Sequence, residues 1–371
     1  MTAGTAAAAD AETDRRWMAA ALTLARRGLG RVAPNPAVGC VIVREGRAVG
    51  RGWTRPGGRP HAERVALDQA GEAARGAVAY VSLEPCAHHG RTPPCADGLA
   101  EAGIARVVSS LTDPDPRVNG RGFARLRAAG IAVTTGVLAA EAERLNEGFL
   151  SLRRRGRPHL TLKLAASLDA RIATAAGESR WISGPEARAF AHLLRAEHDA
   201  ILVGMGTVRA DDPALDCRLP GLEDRSPLPV VADPRLTLPP GARLVAAAPR
   251  RGLIVLHGPV AAPPPCPPGV TRIETPPTPE GGLDLPAALT ALGGLGLTRV
   301  LCEGGGRLAA GLIRAGLVDE IAWIQAGAAL GAEGAPALGP LGLARLGDAP
   351  RFAPVGGRAL GADRLTLWRP A

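Results

Sequence analysis

His61-Ala62-Glu63, followed by Pro85-Cys86-Ala87-His88-His89-Gly90-Arg91-Thr92-Pro93-Pro94-Cys95, decides how this 371-residue chain is read. One imidazole (His61) and two thiolates (Cys86, Cys95) can hold Zn²⁺ on three sides and leave a fourth position open for water. An open position marks a catalytic zinc, because a structural zinc is closed by a fourth protein ligand. Glu63, two residues after the histidine, is placed to manage the protons of that water. The competing reading makes Cys86 and Cys95 ordinary core cysteines and His61 a surface residue. It leaves the two Pro-Cys pairs and the Glu63 offset unexplained.

The His-x-Glu…Pro-Cys…Cys order is similar to that of zinc deaminases, which attack an amidine-like ring carbon and expel ammonia. Base and nucleoside deaminases usually separate the cysteines by two residues, whereas eight stand between Cys86 and Cys95. An insertion there loops over the metal mouth. It carries His88, His89 and Arg91, which can donate hydrogen bonds or charge to a polar or anionic substrate.

The length predicts two domains, since one core stops growing at about 250–300 residues. Hydrophobic residues make up 46% of the chain and aromatics only 3%, so Ala, Leu and Val fill the cores. The net charge of +9 is spread along the chain, with one short run at Arg153-Arg154-Arg155. Single-stranded nucleic acid is bound on aromatic platforms, which this composition does not supply. Scattered arginines suit a phosphorylated small molecule instead, so no nucleic-acid partner is expected. The six cysteines show no disulfide framework. Met1 to Ala9 is small and uncharged and then turns acidic, which predicts a frayed tail rather than a secretory signal. No stretch approaches a membrane span. A soluble, cytoplasmic protein is expected, and a homo-oligomer is compatible with the sequence.

Helical spacing runs from Arg15 to Arg27 and stops at Gly28. Val38 to Val43 reads as a buried strand turned at Glu45-Gly46. His61 opens a helix that continues to about Arg75, and Val78 to Leu83 is a strand delivering Pro85-Cys86 to its C-terminal end. Pro94-Cys95 starts a helix that Gly103 ends, with Val107 to Leu111 as the next strand. This alternation predicts an α/β sandwich with the metal at two helix N-termini, whose partial positive charge favours thiolate over thiol. Glu141 to Leu152 reads as a helix, and Arg153 to Pro158 as a basic Gly/Pro linker.

A second α/β pattern begins at His159-Leu160-Thr161-Leu162-Lys163-Leu164. Ala200 to Gly204, Leu228 to Ala232 and Leu253 to Leu256 are further strands. Ala261 to Pro286, rich in Pro and Gly, predicts an exposed loop. Thr298 to Cys302, Glu303-Gly304-Gly305-Gly306-Arg307 and a helix to about Ala315 give a strand, a glycine turn and a helix N-terminus, the ingredients of a phosphate cradle. Lys163 is the only lysine among 44 Lys+Arg residues. A composition that uses arginine for generic charge leaves this ammonium a special role, in a pocket that a planar guanidinium would overfill.

Taken in order, these motifs resemble the bifunctional riboflavin-biosynthesis deaminase/reductase family from about Arg15 to Pro370. Further matches are Pro34-Asn35-Pro36-Ala37-Val38-Gly39, Lys163 to Asp169, Ser179-Arg180-Trp181-Ile182, Val203 to Val208 and Asp211-Asp212-Pro213-Ala214-Leu215. The resemblance implies an α/β, two-domain chain. A cytidine-deaminase-like α/β/α sandwich over residues 12–152 would precede a dihydrofolate-reductase-like α/β domain over residues 158–371. It implies one Zn²⁺ per chain and NADPH as cofactors. The implied substrate is the 2,5-diamino-6-ribosylamino-pyrimidinone 5′-phosphate, deaminated at C2 with Glu63 carrying protons and then reduced at the ribosyl C1′.

By motif, Asn35, His88, Arg91 and Asp113 fall at deaminase substrate positions. Lys163, Ser179, Arg195, Leu215, Arg218 and Glu303 fall at reductase substrate positions. Ala165, Trp181, Thr207, Asp211 and the segment Gly305 to Gly311, with Gly306, Arg307 and Leu308, fall at NADPH positions. The chain departs from the family at Thr54 (commonly His), Asp115 (commonly Asn) and Ala170 (commonly Gly). A carboxylate at Asp115 would repel a nearby phosphate, and alanine at 170 resists positive φ. Within the family, one reading has only one of the two activities surviving, and two readings from other classes compete. One is a tRNA-adenosine or nucleic-acid cytosine deaminase with an appended module, separable by ammonia release from a free pyrimidine nucleotide. The other is a second domain that only scaffolds the first, separable by NADPH binding.

Overall fold

The computed structural model describes residues 3–88, 93–279 and 281–371. The chain divides into two compact units, Met1–Arg155 and Gly156–Ala371. The first unit begins with α1 (Ala3–Ala25), β1 (Gly39–Arg44), β2 (Arg47–Trp53) and α2 (Ala62–Ala70). It continues through β3 (Val78–Val81), α3 (Cys95–Glu101), β4 (Arg106–Ser109), α4 (Arg121–Ala128), β5 (Ala132–Thr134) and α5 (Ala139–Arg155). Its sheet has the order β2-β1-β3-β4-β5. β1 is antiparallel to β2 and β3, while β3, β4 and β5 run parallel.

Alternation along β1 supplies two cores. Cys40 and Ile42 pack with Ala62 and Ala66 of α2 on one face, and Val41 and Val43 pack with Met18 and Ala21 of α1 on the other. That is the α/β/α sandwich. Gly50 and Gly52 let α2 lie directly on β2, since a Cβ at Gly52 would stand 2.0 Å from the Ala62 oxygen and one at Gly50 would stand 2.2 Å from the Ala66 oxygen. No side chain could occupy either place, so the sequence fixes the height of α2, which carries Glu63, over the sheet.

The second unit begins with β6 (His159–Ala166), β7 (Arg171–Ala173), α6 (Pro185–Ala196), β8 (Ala200–Gly204) and α7 (Met205–Asp211). Next come β9 (Leu228–Ala232), α8 (Arg243–Arg251), β10 (Leu253–His257), β11 (Val270–Glu274), α9 (Leu285–Gly294), β12 (Arg299–Cys302) and α10 (Gly306–Arg314). β13 (Glu320–Gln325), β14 (Ala335–Pro336), β15 (Phe352–Leu360) and β16 (Asp363–Pro370) complete it. The main sheet has the order β11-β10-β9-β8-β12-β6-β13-β16-β15. It is parallel from β11 to β13, and β16 and β15 close it as an antiparallel hairpin. Both faces are buried: Leu202 packs in one core while Ile201 and Val203 pack in the other. A parallel sheet covered on both sides gathers its working residues at the C-terminal strand ends.

Three expectations are corrected. The N-terminal tail expected to be frayed is helical from Ala3, because an alanine-rich run has the highest helix propensity. The arginine run expected in the linker belongs to α5, which ends only at Arg155. Cations in a last turn complement the helix dipole, and Gly156 follows at φ 69°. Inside the expected loop of 261–286, Val270–Glu274 forms β11, paired in parallel with β10 at the sheet edge. There, tertiary pairing outweighs the local Pro/Gly signal. Ala170 has φ 58°, so alanine occupies a left-handed position at a cost of about 1 kcal/mol.

Candidate functional site

The metal-binding side chains converge because three backbone elements end together. His61 is the N-cap residue of α2, Cys86 lies five residues past the end of β3, and Cys95 is the first residue of α3. One donor atom from each lies within 4.8 Å of the other two, and among the described residues the group stops at three. His61 Nδ1 is 3.3 Å from Cys95 Sγ and 3.7 Å from Cys86 Sγ. The Cys95 amide donates to Cys86 Sγ at 3.3 Å.

The electrostatics fit a divalent cation. Hydrogen bonds from the Cys95 thiol, then from His61, bring Cys86 down to about 4. Cys95 is pushed well up, first by its hydrogen bond to Cys86 and then by burial. The thiolate character of Cys86 suits a metal ligand. Glu63 is 4% exposed on the first turn of α2, and burial raises its carboxyl to about 7. It does not belong to the ligand set, and its charge adds to the upward push on the Cys95 thiol.

A cavity of about 250 Å³ opens onto His61, Cys86 and Glu63 and is also lined by Asn35, His88, Asp113, Asp115, Arg117 and Arg153. Asn35, His88 and Asp113 therefore share one space with the metal set. Arg91 lies outside the described residues. Among the described residues the buried Nδ1 of His88 has no hydrogen-bond partner, as a group awaiting a ligand would be. Burial raises Asp113 to about 6. Glu84 organises the far wall, accepting from the amides of Asp113, Gly120 and Gly122 at 2.9 to 3.1 Å.

The departures at 54 and 115 acquire physical meaning here. Thr54 is buried, and its hydroxyl both accepts from the Val38 amide at 3.0 Å and donates to the Val38 oxygen at 3.4 Å. It is tied to the backbone. Asp115 accepts a two-pronged bond from Arg117 at 2.9 and 2.6 Å and stands 3.5 Å from Arg153, so its carboxyl is held down at about 2, chiefly by Arg117. Its charge is neutralised, and it orients two guanidiniums. Sequence reading did not single out Arg117 and Arg153, which also line this cavity. The Asp-x-Arg spacing at 115–117 and the helical i,i+4 spacing of Phe149 and Arg153, whose guanidinium lies 5.5 Å from that ring, were the available signals.

In the second unit Lys163 sits on β6 between Leu162 and Leu164, which are buried in one core and turn the ammonium to the opposite face. Burial lowers the Lys163 pKa, with Glu303 opposing. Glu303 follows β12 and accepts from Arg195 at 2.8 and 2.9 Å. Burial would raise its carboxyl, but Arg195 outweighs it and holds it at about 2. Arg195 also donates to the Asp216 oxygen at 2.9 Å, and Arg218 pairs with the Asp216 carboxylate. Glu303, Arg195, Asp216 and Arg218 thus form one connected group, and Lys163 feels the charges of Glu303 and Arg195. Leu215 is 3% exposed at φ 51° beside it.

A cavity of about 1180 Å³ is lined by Ser179, Thr207, Asp211, Gly305, Gly306, Arg307 and Leu308 among others. Ser179 therefore shares a space with the NADPH positions. Ala165 and Trp181 are not on that wall. Ala165 lies two residues from Lys163 on the same strand face, and Trp181 is 67% exposed with Arg188 4.5 Å from its ring. No helix of the described residues is long and apolar enough to cross a membrane.

Comparison with known proteins extends across both units. The family model described as the cytidine and deoxycytidylate deaminase zinc-binding region matches residues 11–111, and that described as the RibD C-terminal domain matches residues 158–364. The riboflavin biosynthesis protein RibD of Escherichia coli (strain K12) is 44% identical over 350 residues, 91% of this chain and 94% of that protein. The protein of the same name from Synechocystis sp. is 38% identical and covers 95% of each. Acinetobacter baumannii RibD superposes with a TM-score of 0.87 at 37% identity, over 97% of this chain and 99% of that one. The diaminohydroxyphosphoribosylaminopyrimidine deaminase/5-amino-6-(5-phosphoribosylamino)uracil reductase of Thermotoga maritima does so with 0.87 at 33% identity, over 98% and 100%. The first unit is a zinc deaminase and the second a reductase that uses NADPH. A likeness this high, continuous through both units, makes the chain a member of the RibD family, the bifunctional deaminase/reductases of riboflavin biosynthesis.

Proposed function

We propose that the first unit deaminates 2,5-diamino-6-ribosylamino-4(3H)-pyrimidinone 5′-phosphate. The second then reduces the ribosyl group with NADPH, giving 5-amino-6-ribitylamino-uracil 5′-phosphate. The observation that carries this is the three-donor set of His61, Cys86 and Cys95, two of which, His61 and Cys86, line a cavity together with Glu63. Zinc held by these three supplies Lewis-acid activation of water. Glu63 takes a proton as the C2–O bond forms and returns it to the amine as the C2–N bond breaks, so ammonia leaves neutral. Asn35, His88 and Asp113 orient the pyrimidine.

Arg117 and Arg153, steadied by Asp115, receive the substrate phosphate. Arg153→Ala is expected to raise KM for ammonia release roughly tenfold with kcat nearly unchanged, as loss of one charge-assisted contact implies. An unchanged KM would remove Arg153 from the site.

In the second unit NADPH supplies the hydride. Reduction at C1′ opens the ribosyl ring and consumes one proton. Lys163, with its ammonium fixed beside Glu303 and Arg195, donates to the ribosyl oxygens or phosphate and so holds C1′ for attack. Thr207, Asp211 and the amides from Gly305 onward hold the dinucleotide, the latter at a helix N-terminus. Ammonia release and NADPH oxidation measured together on the purified protein with this substrate test the reading. One ammonia per NADPH is expected, and ammonia without NADPH oxidation would contradict the second half.

A further inference from the structure

The larger cavity has a direction. In the sheet order β9-β8-β12-β6, Lys163 lies on β6, Glu303 follows β12, Gly204 ends β8 and Ala232 ends β9. Hydride transfer requires the nicotinamide beside Lys163 and Glu303, and the cradle at Gly305 and Gly306 meets the pyrophosphate. The adenosine half therefore lies over β8 and β9, the latter two strand spacings, roughly 10 Å, from β12. At that end the wall includes Thr207, Arg209, Ala232 and Pro234.

Arg209, on α7, is the cation there. Its Nη2 donates to Thr237 Oγ1 at 2.8 Å, and Thr237 in turn donates to Asp233 Oδ1 at 3.0 Å. The guanidinium is thereby held across from α7 to the loop after β9, with no carboxylate partner among the described residues. Asp233 stands one residue past the end of β9, where an acidic side chain would select NAD by binding the ribose 2′-hydroxyl. It cannot do so here. Asp233 is 1% exposed, one oxygen accepts from Thr237, and the other accepts from the Leu238 amide at 2.7 Å. The cavity thus presents a cation and withdraws the carboxylate, the arrangement that suits a phosphate on the ribose.

We propose that Arg209 reads the 2′-phosphate of NADPH and sets the preference for NADPH over NADH. This rests on the assignment of the cavity to the dinucleotide. Arg314 also lines the cavity but lies eight residues beyond Gly306, about 12 Å along α10 from the cradle, so it serves as the control. The test is the Kd of NADPH and of NADH, read by nucleotide fluorescence on the intact chain. Arg209→Ala should weaken NADPH by roughly 10- to 100-fold, the range of one charge-assisted bond, and leave NADH within about twofold. Arg209→Lys should recover part of the loss, and Arg314→Ala should leave the NADPH/NADH ratio unchanged.

Equal effects of Arg209→Ala on both nucleotides, no effect on either, or a loss of selectivity in Arg314→Ala instead would overturn the proposal. Gly305→Ala tests the assignment beneath it. A Cβ there meets no protein atom within 4 Å, so the fold is kept, but it enters the cradle. It should weaken both nucleotides alike. If it changes neither, the cavity does not hold the dinucleotide, and the proposal falls with it.

Discussion

Glu63→Gln is expected to keep its zinc and lose ammonia release by roughly 10²-fold or more, the usual consequence of removing a general acid/base. The amide conserves the shape of a side chain that is 4% exposed, and the ligand set of His61, Cys86 and Cys95 does not include it. Metal content should therefore match the native protein. The variant should still oxidise NADPH when given substrate that has already been deaminated, because the reducing group lies in the other unit. If zinc were lost along with activity, Glu63 would be a support for Cys95, with which it interacts, rather than the proton carrier.

The second large effect is expected at Lys163. Lys163→Ala should reduce NADPH oxidation roughly 10²-fold or more, as removal of a preorganised donor commonly does. Zinc content and ammonia release should stay near native. Binding of NADPH should be within about twofold of native, since Lys163 is not on the wall of the dinucleotide cavity. Glu303 retains its two bonds to Arg195 in the variant, which protects the fold from an unpaired buried carboxylate. Lys163→Arg should not restore the rate, because the planar guanidinium does not fit beside the one already held there. Undiminished NADPH oxidation in Lys163→Ala would remove this lysine from the reducing site and weaken the whole assignment of the reductase group.

The metal set was legible in the sequence because its spacing along the chain carries the chemistry: a histidine before a helix, and two Pro-Cys pairs, one after a strand and one opening a helix. The lone lysine was legible because its neighbours Leu162 and Leu164 alternate with it, and alternation in a strand assigns faces. Arg153 was not. An arginine run beside Gly and Pro has the composition of a linker, and only the packing of Phe149 and Asp115 shows that α5 continues through it. At Asp115 the sequence shows the charge of the side chain but not its partners. A carboxylate alone repels phosphate, but a carboxylate gripping Arg117 and approached by Arg153 presents cations instead. β11 was hidden because its stability comes from pairing with β10, which no local pattern records.

The most direct test of two separate sites in one chain is removal of the metal by chelation, followed by assay of each half-reaction on its own substrate. About one zinc per chain is expected before treatment. After treatment, ammonia release should be lost, while NADPH oxidation with the deaminated substrate persists and added Zn²⁺ restores ammonia release. Full ammonia release from the metal-free protein, or loss of both half-reactions with the fold intact, would contradict it.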